Sequence, residues 1–120
     1  MKKVLFVTLV GLFTGSLLLF AQDVKTIKGE VVDLSCYTLA GAKGMGHQQC
    51  GLACIKGGEP AGILEDKTNK VYVVVTSDHS NPADKVIPYV AKKVTAKGKV
   101  FSRGGIKVID LDKISEISGK

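Results

Sequence analysis

Residues 93–114, KVTAKGKVFSRGGIKVIDLDKI, decide the fold class. On both sides of Arg103-Gly104-Gly105, apolar and polar residues alternate with a period near two. That is the repeat of a strand with one buried face, and it does not fit a helix. The two glycines suit a tight reversal, so the stretch reads as a hairpin of two strands, 93–102 and 106–114.

Working back from this hairpin, Ser77–Pro82 (SDHSNP) is a turn cluster able to cap a short helix over 83–89, which Pro88 keeps short. Before it, AGILE (61–65) and VYVVVT (71–76) flank DKTNK, a second hairpin in which Asn69 suits a left-handed turn position. Residues 24–34, VKTIKGEVVDL, form a further strand with Ile27, Val31 and Val32 as its apolar members, ending beside Cys36. The predicted fold is mainly β with a minor helical share. It is a five-stranded OB-like Greek-key barrel with a short helix between strands 3 and 4 and a Cys/His-containing helical insert between strands 1 and 2. Another small open barrel or a sandwich is the alternative. Residues 115–120 are expected to fray.

The insert, residues 36–62, holds all three cysteines and one of the two histidines. Its loop-rich part runs over 38–46, and a helix is expected from about His47 to Lys56, stopped by Gly57-Gly58 and Pro60. Cys36, His47, Cys50 and Cys54 together match the Cys3His complement of a tetrahedral metal site. A helix turns about 100° per residue, so His47, Cys50 and Cys54 project within about 60° of one another. Along a straight helix, however, His47 and Cys54 lie about 10.5 Å apart, too far for one ion. His47 therefore joins the set only if Gly44-Met45-Gly46 releases it from the helix proper. Cys36 joins only if the first strand ends beside the same face.

A disulfide is the competing reading, since a small exported domain normally oxidises its cysteines. Pairings of Cys36 with Cys50 or Cys54 are open, while Cys50 with Cys54 is unfavourable because side chains four apart on a helix point the same way. Each pairing leaves one thiol over, and that odd count beside a histidine favours metal. Three thiolates and an imidazole suit Zn(II), and thiolates with a thioether from Met45 suit Cu(I); Met45 reads first as a loop residue. A closed four-ligand site serves structure or carriage, not hydrolysis.

Other residues carry weaker signals. His79 reads as a solvated turn residue and Tyr37 as packing over the insert. Glu30 and Asp33 are able to orient a ligand from behind, although the ordinary place for strand carboxylates is solvent. No serine, histidine and carboxylate set suggests a hydrolase, and Cys-x-x-Cys and Cys-x-x-Cys-His are both absent. The one enzymatic reading left is thiol redox exchange between Cys36 and a helix cysteine. A binding module stapled by one disulfide is a further alternative.

At the N-terminus, Lys2 and Lys3 precede an apolar run over 4–20, and Ala21 offers a small residue before Gln22. Residues 1–21 read as a signal peptide and 22–120 as a single domain, exported to the periplasm or beyond. Membrane attachment follows only if that leader stays uncleaved. The net charge is +6, but the lysines outside the leader are scattered, with Lys92 and Lys93 the only adjacent pair. This is a solvated surface, and no nucleic-acid partner is expected. Metal ion is the expected partner, with a periplasmic or extracellular protein as a second.

The segments GEVVDLSCY, GHQQCGLAC and GGEPAGIL resemble a pattern in small secreted bacterial proteins, and the later strands resemble bacterial OB-fold domains. The resemblance spans most of residues 22–120. It implies an exported protein with an OB-like fold and carries no activity with it.

Overall fold

A computed structural model describes residues 23–119, so the leader assigned to residues 1–21 lies outside the described residues. Five strands carry the fold: β1 (Val24–Asp33), β2 (Ala61–Glu65), β3 (Val71–Val75), β4 (Lys93–Arg103) and β5 (Ile106–Glu116). They hydrogen-bond in the order β1-β2-β3-β5-β4, and β4 pairs back onto β1, so the sheet closes into a ring. All pairings are antiparallel except β3 with β5, which run parallel over Val73–Val75 and Val108–Asp110. Among the described residues each strand has a neighbour on both sides over part of its length.

β1 makes this possible by serving two neighbours. Residues 24–30 pair with β4 and residues 29–33 with β2, so Gly29 belongs to both ladders. A Cβ at Gly29 would stand 2.1 Å from the Leu64 carbonyl oxygen, a separation no side chain tolerates. The close approach of the β2 backbone therefore requires glycine there.

Inside the ring, Ile27, Val31, Ile63, Val74, Val94, Ala96, Ile109 and Leu111 form one buried cluster. Residues Ile27, Val31 and Val32 are buried as their pattern requires. Three helices sit on the connections: α1 (Leu34–Ala40), α2 (Gln48–Lys56) and α3 (Pro82–Val86), with single 3-10 turns at Met45–His47 and Ile87–Tyr89. α2 contributes Ile55 to the core and α3 contributes Val86. Fully burying one such side chain is worth about 1.5–3 kcal/mol, enough to dock a nine-residue helix that is too short to be stable alone. Among the described residues no helix is long and apolar enough to cross a membrane.

Most element boundaries agree with the sequence to within two residues, and Asn69 has the expected positive φ of 55°. Two expectations are corrected. The first strand does not deliver Cys36 at its end, and the chain is not yet a loop at residue 38; β1 stops at Asp33 and the chain turns at once into α1, which runs to Ala40. The physical reason is a cap at each end. Asp33 Oδ1 accepts the Cys36 backbone N–H at 2.8 Å, and Gly41, at φ 66°, returns its N–H to the carbonyls of the last turn. Nor do Ser115 and Glu116 fray, because both continue the β5 ladder opposite Thr95 and Val94.

Candidate metal centre

Three segments converge at one end of the ring. β1 ends in Asp33, α1 carries Cys36 in its first turn, and the 3-10 turn and α2 bring in His47, Cys50 and Cys54. His47 lies ahead of α2 in the 3-10 turn entered through Gly44 at φ 81°, the release from the regular helix that the spacing demands. α2 is tied down along its length. Gln48 Nε2 donates to the Val90 carbonyl at 3.1 Å, Ile55 is buried, and beyond the helix the Pro60 carbonyl accepts the Leu34 N–H at 2.9 Å. Ser35 Oγ donates to the Glu59 carboxylate, closing α1 onto the exit from α2.

These constraints assemble the four residues, with Asp33, as two overlapping triads. Ligand atoms of Cys36, His47 and Cys50 lie within 4.8 Å of one another, as do those of Asp33, Cys36 and Cys54. The Cys36 sulfur belongs to both. The spacing is close enough for one ion, and no disulfide joins the three cysteines. Cys36 and Cys54 are half-buried, Cys50 is exposed, and the His47 side chain is 21% exposed, so the cluster opens to solvent on the Cys50 side. Met45, at 62%, stands in solvent beside it.

Behind the cluster stand two buried carboxylates, which corrects the expectation of solvent-facing ones: Glu30 is 5% exposed and Asp33 1%. Glu30 accepts the Gly44 backbone N–H and so holds the loop that delivers His47. Asp33 Oδ2 meets His47 Nε2 at 2.9 Å. Glu30, Asp33, His47, Gly51 and Val90 line one narrow crevice. The one sequence signal here is the residue type of Asp33, an N-cap former where the strand pattern ends; nothing local marks Glu30.

The electrostatics follow from this packing. Burial pushes the Asp33 carboxyl up, but the Cys36 backbone N–H, His47 and the Cys36 thiol more than offset it, leaving the group below the ordinary carboxylate value. The Cys36 thiol is pushed up to about 12 by burial and by the hydrogen bond and charge of Asp33, with Cys54 adding to both. Cys54 is also raised, chiefly by burial; its hydrogen bond with Cys36 works the other way and the charges of Cys50 and Asp33 add to the rise. Cys36 and Cys54 therefore hold their protons more tightly than an ordinary thiol. His79 lies in its exposed turn at φ 63° and belongs to neither triad.

Comparison with known proteins yields no matching family model, curated protein or solved structure.

Proposed function

We propose that this chain is an exported, non-enzymatic metal-binding protein that holds Zn(II) or Cu(I) through Cys36, His47, Cys50 and Cys54. The observation that carries the reading is the convergence of three unbridged cysteines and one imidazole, from three separate segments, within bonding reach of an ion. Thiolate and imidazole donors suit Zn(II) and Cu(I), and all four protein ligands on one ion leave no position for a substrate. Carriage fits better than a purely structural role, because Cys50 is exposed and gives a chelating partner a route to the ion. The strand order β1-β2-β3-β5-β4 with a helix before β4 supports an OB-like Greek-key barrel as the scaffold. Lys2 and Lys3 ahead of the apolar run support export to the periplasm or beyond.

Thiol redox exchange finds less support. A reactive cysteine needs electropositive surroundings that lower its pKa, whereas Cys36 faces the Asp33 carboxylate and is shifted the other way.

Elemental analysis of protein purified under reducing conditions, followed by single alanine substitutions of the four ligands, tests the proposal. One equivalent of metal in the wild type is expected, with Cys36→Ala, Cys50→Ala and Cys54→Ala each losing most of it. Substoichiometric metal, or retention after loss of both Cys50 and Cys54, would refute it. Amino-terminal sequencing of the protein from the cell envelope should begin at Gln22.

A further inference from the structure

The geometry points to Asp33 as a positioning residue that fixes the tautomer of His47, so that the ring carries its proton on Nε2 and offers Nδ1 to the metal. This rests on the metal-binding reading and adds which atom binds and what aims it.

Asp33 is held at both of its oxygens. Its side chain is fully buried, Oδ1 accepts the Cys36 backbone N–H at 2.8 Å, and Oδ2 lies 2.9 Å from His47 Nε2. An ionised carboxylate only accepts, so Nε2 must be the donor. Among the described residues the His47 ring has no other hydrogen bond, which leaves the Nδ1 lone pair free, and a ring nitrogen lies within 4.8 Å of the Cys36 and Cys50 sulfurs. The backbone around the pair is shaped for it. Glu30 holds Gly44, and α2 presents Gly51, where a Cβ would stand 3.3 Å from Asp33 Oδ2 and 3.5 Å from His47 Cδ2.

Asp33 also falls within ligand distance of Cys36 and Cys54, which raises a different role, that of an oxygen ligand. Its two oxygens already serve N–H donors, and a hard carboxylate suits a thiolate-rich site poorly. A carboxylate behind a ligating imidazole instead fixes the ring and strengthens the nitrogen that binds.

Asp33→Asn separates the two roles. Asparagine caps a helix about as well as aspartate, so α1 is retained, as far-UV circular dichroism would check. With its oxygen kept on the Cys36 N–H, the amide nitrogen replaces Oδ2 and can only donate. His47 Nε2 must then accept, and the proton shifts to Nδ1, the atom required for the metal. Long-range proton–nitrogen correlation spectra at mildly alkaline pH read the tautomer directly. In metal-free wild type the proton is expected on Nε2, and in Zn(II)-loaded protein Nδ1 should be the metal-bound nitrogen. In Asp33→Asn the metal-free tautomer should invert, and Zn(II) affinity should fall about ten- to a hundredfold. A wild-type ring protonated on Nδ1, Zn(II) bound through Nε2, an oxygen ligand from Asp33 in X-ray absorption, or unchanged affinity in the variant would each overturn the inference. A wild type that binds no Zn(II) while still carrying its proton on Nε2 would overturn the metal reading, and the ligand assignment with it, while leaving the Asp33–His47 contact established.

Discussion

Glu30 and Gly44 are joined by a hydrogen bond from the Gly44 backbone N–H to the Glu30 carboxylate, fourteen residues apart. The Asp33–His47 contact has the same separation. Two carboxylates three apart on one strand thus grip two points three apart on the incoming segment. Glu30→Ala removes the first grip and leaves the Gly44 N–H without its partner. Losing such a buried acceptor costs about 1–3 kcal/mol. Denaturant titration should register that loss, and Zn(II) affinity should fall as His47 gains freedom, with stoichiometry unchanged. Unaltered affinity would mean that Asp33 alone positions the ring.

The pH dependence of stability follows from Asp33. Its folded pKa lies below the ordinary value: burial pushes it up, but the Cys36 N–H and His47 hold it down by more. A group depressed on folding contributes stability that is complete above the unfolded pKa and is lost as pH falls through the folded one. Acid titration of the metal-free protein should therefore show wild type and Asp33→Asn converging as the pH drops below the ordinary carboxylate range. A gap that stays constant to the lowest pH would assign the effect of Asp33 to packing.

Proton release on metal binding has the opposite origin. Cys36, pushed up to about 12 by burial and Asp33, and Cys54, raised in the same direction, are protonated at neutral pH and must lose their protons to become ligands. Zn(II) affinity should thus rise steeply with pH through the neutral range. Calorimetry in buffers of different ionisation enthalpy should detect more than one proton released per ion. Binding that is independent of pH would exclude Cys36 and Cys54 from the ligand set.

The strands were legible because their cause is local. Alternation in residues 93–114 and the turns at Asn69 and Gly104-Gly105 act over a few residues, and the ladders formed within about two residues of the expected ends. The clustered residues Cys36, His47, Cys50 and Cys54 stood out by type, and helix geometry alone set the condition on His47 that the 3-10 turn meets. α1 was not legible. Its seven residues, LSCYTLA, lack a helical apolar stripe, and none is fully buried. Two caps make it, and one of them, Asp33, owes its burial to contacts with residues from 36 to 51 that no local pattern encodes. The carboxylates behind the site were obscured for the same reason: on a strand, burial of Glu30 and Asp33 depends on a partner segment far along the chain.

Gly51→Ala is the sharpest test of how tightly that packing is set. Within a helix, alanine is favoured over glycine by about 1 kcal/mol, so the exchange would stabilise an unconstrained α2. Here the added Cβ meets Asp33 Oδ2 and Val90 Cγ1, each at 3.3 Å. Neither yields easily, since Asp33 is held by two hydrogen bonds and Val90 is 2% exposed in the core. Overpacking at such a point costs about 1–3 kcal/mol, which outweighs the propensity gain across most of that range. The expected result is a protein that folds with a slightly lower melting temperature and a clearly weaker Zn(II) affinity, because the shift falls on the Asp33–His47 contact. A more stable variant with full affinity would show that α2 can move away from β1 without disturbing the site.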